Sequence, residues 1–320
     1  MQALIEVLTS QFWLSYWTLL IIVVVEKNLS WPEKYHPLSL YKLFAIRMAK
    51  KVLPSADYST QQQKISGALA AMVLLLPLIV IIAIFIYLSE YPMFFQGFLL
   101  LIALRFQYVL NISTKIANYL SADKKILARH TLQPIILRET DKLSPMGLAK
   151  ANCETIVLRF SYQYCAVIFW FLLTGGVGAI IYRALYESSQ CWNIKLKRFK
   201  HFGLIVNKLL RLLQWTPNFL VGLSLIIVSA NFASLKVLKT KRSYFEQRFY
   251  LLNIAGTVLN IELGGPAFYE NKKTRTEKCG GIRQVTLADI LRTKNILNLS
   301  TYLWLTLCFL GYTFIFININ

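Results

Sequence analysis

Acidic side chains are scarce in this sequence: 15 Asp and Glu stand against 35 Lys and Arg, a formal net charge of +20 over 320 residues. Paired cysteines are missing too. Cys153, Cys165, Cys191, Cys279 and Cys308 form no Cys-x-x-Cys and no pattern with the three histidines, which excludes a disulfide framework or a zinc module as the organising device. No Gly-Lys-Ser/Thr closes a Walker loop, and no Gly-x-Gly-x-x-Gly follows a strand, so neither nucleotide fingerprint applies. The N-terminus has no basic n-region and no small-residue cleavage site. The first apolar stretch is therefore expected to remain as a span and not to be removed as a signal. Internal repeats and low-complexity tracts are absent.

What the chain has is apolar length. Hydrophobic residues make up 56% and aromatics 14%, above the roughly 45–50% of soluble chains. Six stretches suit a bilayer: Leu4–Val25, Leu69–Leu88, Met93–Tyr108, Tyr164–Tyr186, Phe219–Leu235 and Leu299–Phe316. Nearly all Lys and Arg lie between them, Arg105 and Arg183 excepted. That distribution suits anionic lipid head groups, and it lacks the recognition helix or aromatic-basic sheet of a nucleic-acid binder. The lipid bilayer is thus the expected partner, and nucleic acid is not.

Thr174-Gly175-Gly176-Val177-Gly178 interrupts the fourth stretch, and glycine weakens a helix interior. If the fourth and fifth stretches both crossed, Lys195, Lys197, Arg198, Lys200, Lys208 and Arg211 would face outside, against the rule that cations favour the cytoplasmic side. The expected fold is therefore all-α and multi-pass, with about four transmembrane helices, two re-entrant or buried hairpins and amphipathic cytoplasmic helices. It reads as a single integral-membrane domain over residues 1–320, with cytoplasmic segments at about 26–68, 109–163, 187–218 and 236–298. The expected location is a bacterial inner membrane, with the main polar face cytoplasmic.

Several motifs carry chemistry. His36-Pro37, after Glu26, is either an interfacial turn with Pro37 opening a helix or an imidazole held on stiff backbone. Ser144-Pro145 reads as a helix start, with Ser144 as the cap. Arg129 and Arg138 suit phosphate through the guanidinium fork. Glu139, Asp141 and Glu154 suit magnesium, which takes carboxylate and phosphate oxygens. The same residues also fit a solvated, ion-paired helix-turn-helix. Leu263-Gly264-Gly265-Pro266, with Tyr269, allows close backbone approach to a ligand or simply makes a turn.

In this order the pieces resemble the CobD/CbiB family, whose best-known members are adenosylcobinamide-phosphate synthases, membrane enzymes of late cobalamin assembly. The resemblance runs through Glu26, His36-Pro37, Ala128-Arg129, Arg138-Glu139-Thr140, Glu154-Thr155, Phe169-Trp170, Gly175-Gly176, Tyr182-Arg183-Ala184, Arg198-Phe199, Phe202-Gly203, Pro217, Leu263-Gly264-Gly265, Tyr269 and Ala288-Asp289-Ile290. It implies an ATP- and magnesium-dependent ligase that joins an amino-alcohol phosphate to a carboxyl group of a corrinoid. It further implies Glu154, Glu139 and His36 as catalytic residues, Glu154 and Glu139 as metal ligands, and Arg129, Arg138, Gly264, Gly265 and Tyr269 as substrate contacts.

Departures are concentrated after Glu154. The family's Glu-Thr-Val-Ala-Glu-Asn run and its closing Asp-Gly become Glu154-Thr155-Ile156-Val157-Leu158-Arg159-Phe160-Ser161-Tyr162-Gln163. A second acid, an Asn and the Asp-Gly are gone, and Tyr244–Tyr250 replaces the Asn-x-Gly-Trp-Pro element. Arg159, Tyr162 and Gln163 look closer to the related AmpE proteins, regulatory membrane proteins. The chain is expected to be a synthase, or a copy of one that has lost activity. The alternative is a non-catalytic AmpE-like protein.

Overall fold

The computed structural model describes residues 11–29, 31, 35–55, 58–239, 246–270 and 272–319. The first residues of the Leu4–Val25 stretch lie outside that set, as does the start of the Tyr244–Tyr250 segment. In chain order the helices are α1 (Gln11–Asn28), α2 (Pro37–Val52), α3 (Thr60–Tyr87), α4 (Pro92–Ala103), α5 (Gln107–Ser121), α6 (Lys125–Leu132) and α7 (Pro145–Arg159). A π-helical turn, Phe160–Cys165, leads to α8 (Ala166–Cys191), then α9 (Leu204–Ser229) and α10 (Gln247–Leu259). Four three-residue strands follow, β1 (Glu262–Gly264), β2 (Ala267–Tyr269), β3 (Lys272–Thr274) and β4 (Lys278–Gly280), and α11 (Leu287–Ile319) ends the chain.

The protein is an all-α, multi-pass membrane protein with two small β ribbons. Among the described residues five helical segments are long and apolar enough to cross a bilayer: Thr60–Tyr87, Pro92–Ser121, Pro145–Cys191, Leu204–Ser229 and Leu287–Asn318. Both stretches expected to be re-entrant begin inside qualifying segments. The glycine break falls where the sequence places it. Gly175 adopts φ 71°, ψ −165°, outside helical space, and the chain is helical on either side. Gly176 lies against the Gln96 backbone, where a Cβ would have no room.

The chain packs as two compact units. Unit 1 holds residues 1–105, 163–214 and 308–320. Within it α8 packs on α2, α3 and α4, and α1 packs on α4. Helix α3 opens with a capping box, Ser59 with Gln62, and leaves most of its apolar side chains (Val73, Leu76, Val80 and Ile81 among them) exposed. An apolar helix without a protein cover is what lipid contact demands. Trp13 and Tyr16 pack against Phe309 and Tyr312.

Unit 2 holds residues 106–162 and 215–307. Its helix α5 is amphipathic, as its spacing predicts: Val109, Ile116 and Leu120 are buried while Lys115 and Asn118 face out. Helix α7 starts where expected, with the Ser144 hydroxyl accepting from the Gly147 N–H at 3.1 Å and Pro145 at the first position. Helix α10 packs on α7 and on β1 and β4. The two ribbons are antiparallel, β1 with β4 and β2 with β3. Three-residue strands are too short to show alternation, so the sequence reads only as a glycine-rich loop there.

Candidate functional site

The site lies wholly within unit 2 and is built around one buried carboxylate. Glu154 sits in α7 between the buried residues Cys153 and Thr155 and is 2% exposed. A buried carboxylate requires paired charge and hydrogen bonds. Glu154 has both. Its Oε2 meets Arg138 Nη2 at 3.3 Å and Arg248 Nη2 at 3.6 Å, and its Oε1 accepts the Gly264 N–H at 2.9 Å. Gly264 holds φ +74°, and a Cβ there would strike the Glu277 carbonyl. Only glycine presents that N–H to α7 without strain.

Arg248 occupies the first turn of α10, the positive end of a helix dipole, where a second positive charge is unfavourable. Burial also opposes its charge. Glu154, a hydrogen bond donated to the Tyr269 side chain and nearby Tyr162 outweigh that burial, so the guanidinium is held above its ordinary value.

One turn back on α7, Lys150 continues the same face. Its amine pairs with Glu262 at 3.1 Å, and Lys278 meets the other Glu262 oxygen at 3.0 Å. Lys278 first, then Lys150, hold the Glu262 carboxyl below the usual glutamate range. The Lys150 amine lies 3.7 Å from where a Gly265 Cβ would be, so its charge stands over the glycine turn. Cys279 pairs across the ribbon with Leu263, and burial pushes its thiol up to about 12. The group therefore contains four cations, Arg138, Arg248, Lys150 and Lys278, against two carboxylates, Glu154 and Glu262.

Of the residues singled out from sequence, Arg138, Glu154, Gly264, Gly265 and Tyr269 come together here. Glu139 adjoins the site through its backbone, which donates to the Phe268 carbonyl at 3.0 Å, and Lys142 stacks over the Phe268 ring. Arg129 instead ties down the Leu143 carbonyl at 2.8 Å. His36 belongs to unit 1. There its Nδ1 accepts the Leu38 N–H at 3.2 Å and caps α2, with Pro37 at the first helical position. Arg248, Lys150 and Glu262 went unnamed in the sequence reading, and Cys279 was named there only among the unpaired cysteines. For Arg248 no local signal exists, since residues 244–250 match no motif.

The donor set fits an anion better than a divalent cation. Both Glu154 oxygens already take N–H donors. Among the described residues no three His, Cys, Asp or Glu side chains form a metal-holding group.

A family model described as CobD/Cbib protein matches residues 19–297. The chain belongs to that family. Similar proteins include the cobalamin biosynthesis protein CobD of Chromobacterium violaceum, 24% identical over 291 residues, covering 90% of this chain and 93% of that protein. The CobD of Stutzerimonas stutzeri is 23% identical over 252 residues, 78% of this chain and 82% of its own. That of Halalkalibacterium halodurans is 26% identical over 211 residues, 63% and 66% respectively. No solved structure matches. Arg138-Glu139, Glu154 and Gly264-Gly265, among the residues on which the resemblance rests, all lie in unit 2.

Proposed function

We propose that this CobD-family protein binds a phosphate-bearing substrate of cobalamin assembly at the Glu154 site, and that it is a divergent copy with weak or lost ligase turnover. The excess of four cations over two carboxylates around Glu154 carries the reading. In this account Glu154 does not react. It holds two guanidiniums whose remaining N–H groups face an incoming phosphate, and Arg forks match phosphate oxygens in pairs. Gly264 and Gly265 let backbone approach the ligand, and Lys150 adds charge over the turn. Amide synthesis driven by ATP and magnesium needs carboxylates free for the metal. Glu154 with Glu139 is the pair that would serve, and Glu154 is engaged.

The test is direct. Protein in detergent is given aminopropanol phosphate, then adenosylcobyric acid, ATP and magnesium, beside the Chromobacterium violaceum CobD as control. Binding of the amino-alcohol phosphate without product is expected. Product at a rate near the control's overturns the loss of turnover.

A second reading is a non-catalytic, AmpE-like regulatory protein. It is favoured by Arg159, whose guanidinium is spent on the Ile135 carbonyl at 2.6 Å. Absence of substrate binding would select it.

We also place the protein in a bacterial inner membrane with its main basic loops cytoplasmic, because Lys and Arg collect between the apolar segments. Exposed Lys200 lies in one of these loops. A Lys200→Cys variant in intact cells should resist an impermeant maleimide, and labelling from outside would reverse the orientation.

A further inference from the structure

Helix α2 is tied down along one side and open along the other. His36 caps its first turn. Ala45 and Ala49 are buried, and the helix packs on α3 and α8. The buried Trp192 indole N–H donates to the Ala45 carbonyl at 3.0 Å, so the roll of the helix is fixed. The opposite face carries Leu40, Leu43, Phe44, Arg47, Lys50 and Lys51. Steps of three and four place these six on one continuous stripe. Leu40, Leu43 and Phe44 are 57%, 51% and 50% exposed, and Arg47, Lys50 and Lys51 are exposed as well. No Asp or Glu occurs between residues 37 and 55. All of these residues belong to unit 1.

The stripe changes character along its length, from apolar in the first half of the helix to basic in the second. Its 16 residues make about 24 Å of helix, short of the roughly 30 Å of hydrocarbon in a bilayer. Helix α2 therefore cannot cover its apolar half by spanning. Cations in a last turn favour the helix dipole, which accounts for Lys50 and Lys51. It accounts for neither Arg47 nor the apolar half. A soluble anion would leave Leu40, Leu43 and Phe44 uncovered, and an apolar protein face would bury cations against nothing polar. An amphiphile with one anionic end covers both halves. Lipid is also at hand, because α2 leads into α3, whose exposed apolar side chains mark it as lipid-facing.

We propose that the outer stripe of α2 is a binding surface for anionic phospholipid. Leu40, Leu43 and Phe44 lie against the acyl chains, and Arg47, Lys50 and Lys51 meet the phosphate head group. Interfacial helices work in this way, sinking apolar side chains to the acyl boundary while cations hold anionic lipid. Arg47 brings a guanidinium fork that matches phosphate oxygens in pairs. The surface shares no residue with the Glu154 group and does not depend on the reading given for it. It stands whichever face of the membrane α2 lies on.

The test uses full-length protein in mild detergent, titrated with phosphatidylglycerol or with phosphatidylcholine of the same acyl chains. Native mass spectrometry reads the retained lipid. Wild type should retain phosphatidylglycerol in preference to phosphatidylcholine. The triple variant Arg47→Gln, Lys50→Gln, Lys51→Gln should weaken that retention roughly tenfold or more, since each basic residue near an anionic surface is worth about fivefold. A second triple, Lys272→Gln, Lys273→Gln, Arg275→Gln, removes the same charge from exposed residues of unit 2 and should change nothing. Leu43→Asn with Phe44→Asn keeps every charge and should still weaken retention, because the acyl chains lose their contact. All these positions are exposed, where substitutions leave folding largely intact. No preference between the two lipids in wild type, equal retention by the two triples, or full retention by the Asn pair each overturns the proposal. So does a dimer that the α2 triple splits while phospholipid retention stays unchanged, since a second copy would then be the occupant.

Discussion

The backbone N–H of Gly264 reaches Glu154 Oε1 at 2.9 Å across 110 residues of chain. One bond thus joins the middle of α7 to the glycine ribbon, and the same carboxylate holds Arg138 and Arg248 on its other oxygen. A carboxylate so placed has no exchange with water to fall back on. Its neighbours supply the opposite charge and hydrogen bonds that water would, and it fixes their positions.

Glu154→Gln keeps an acceptor for Gly264 but leaves two guanidiniums unpaired. Arg138 has 10% of its side chain exposed, and breaking a buried pair by removing one partner costs about 3–5 kcal/mol. Arg248, at 36%, reaches solvent, so its pair is worth about 1 kcal/mol or less. Denaturant unfolding in detergent should therefore rank Glu154→Gln as much more damaging than Arg248→Met. Equal losses would show that Glu154 is not buried in this way.

The glycine pair separates two causes. Gly264→Ala meets both a positive φ and the Glu277 carbonyl, whereas Gly265, at φ +93°, has only long contacts to the side chains of Lys278 and Lys150. Backbone strain alone costs about 1–3 kcal/mol. Gly264→Ala should exceed that and weaken phosphate binding, and Gly265→Ala should stay within it. Melting temperatures of both variants, with and without amino-alcohol phosphate, check the order.

How much of this was legible beforehand depends on range. Ser144 capping α7 and Pro37 opening α2 are local chemistry, and both appear as read. The Gly175 break was legible because three glycines cluster. Arg138, Glu154 and Gly264 were named through motif order, although nothing local shows that they touch. Arg248 escaped because its partner Glu154 lies far back in the chain and its own segment carries no motif. The ribbons escaped because three residues cannot display a period of two. The Arg183–Glu187 pair has ordinary helical spacing, and only packing reveals that it is buried.

Glu262 predicts an acid dependence. Its carboxyl is held below its ordinary value by Lys278 and Lys150. A depressed acid contributes stability that is present above the unfolded value, near about 4.3, and is lost as pH falls through the lower folded value. With 26% of the side chain exposed the effect is partly screened. Wild type should lose stability over Glu262→Gln as pH drops below about 4, and the two curves should converge there. Melting curves from pH 6 to 3 in low salt test this, since salt shrinks the gap. A constant gap across that range would remove the ion pairs from the account.

Cys279 offers a reactivity test of the folded ribbon. Burial raises its thiol to about 12, and the thiolate is the species that alkylates. At pH 8 the thiolate fraction is then roughly a thousandfold below that of a free cysteine near 8.5. Native protein should leave Cys279 unmodified by iodoacetamide while unfolded protein reacts, with peptide mass spectrometry reading the site. Gly264→Ala, which disturbs the strand paired with β4, should speed native labelling of Cys279. Rapid labelling of Cys279 in wild type would mean that the β1–β4 ribbon does not close over the thiol, and with it the Gly264 N–H would lose its fixed approach to Glu154.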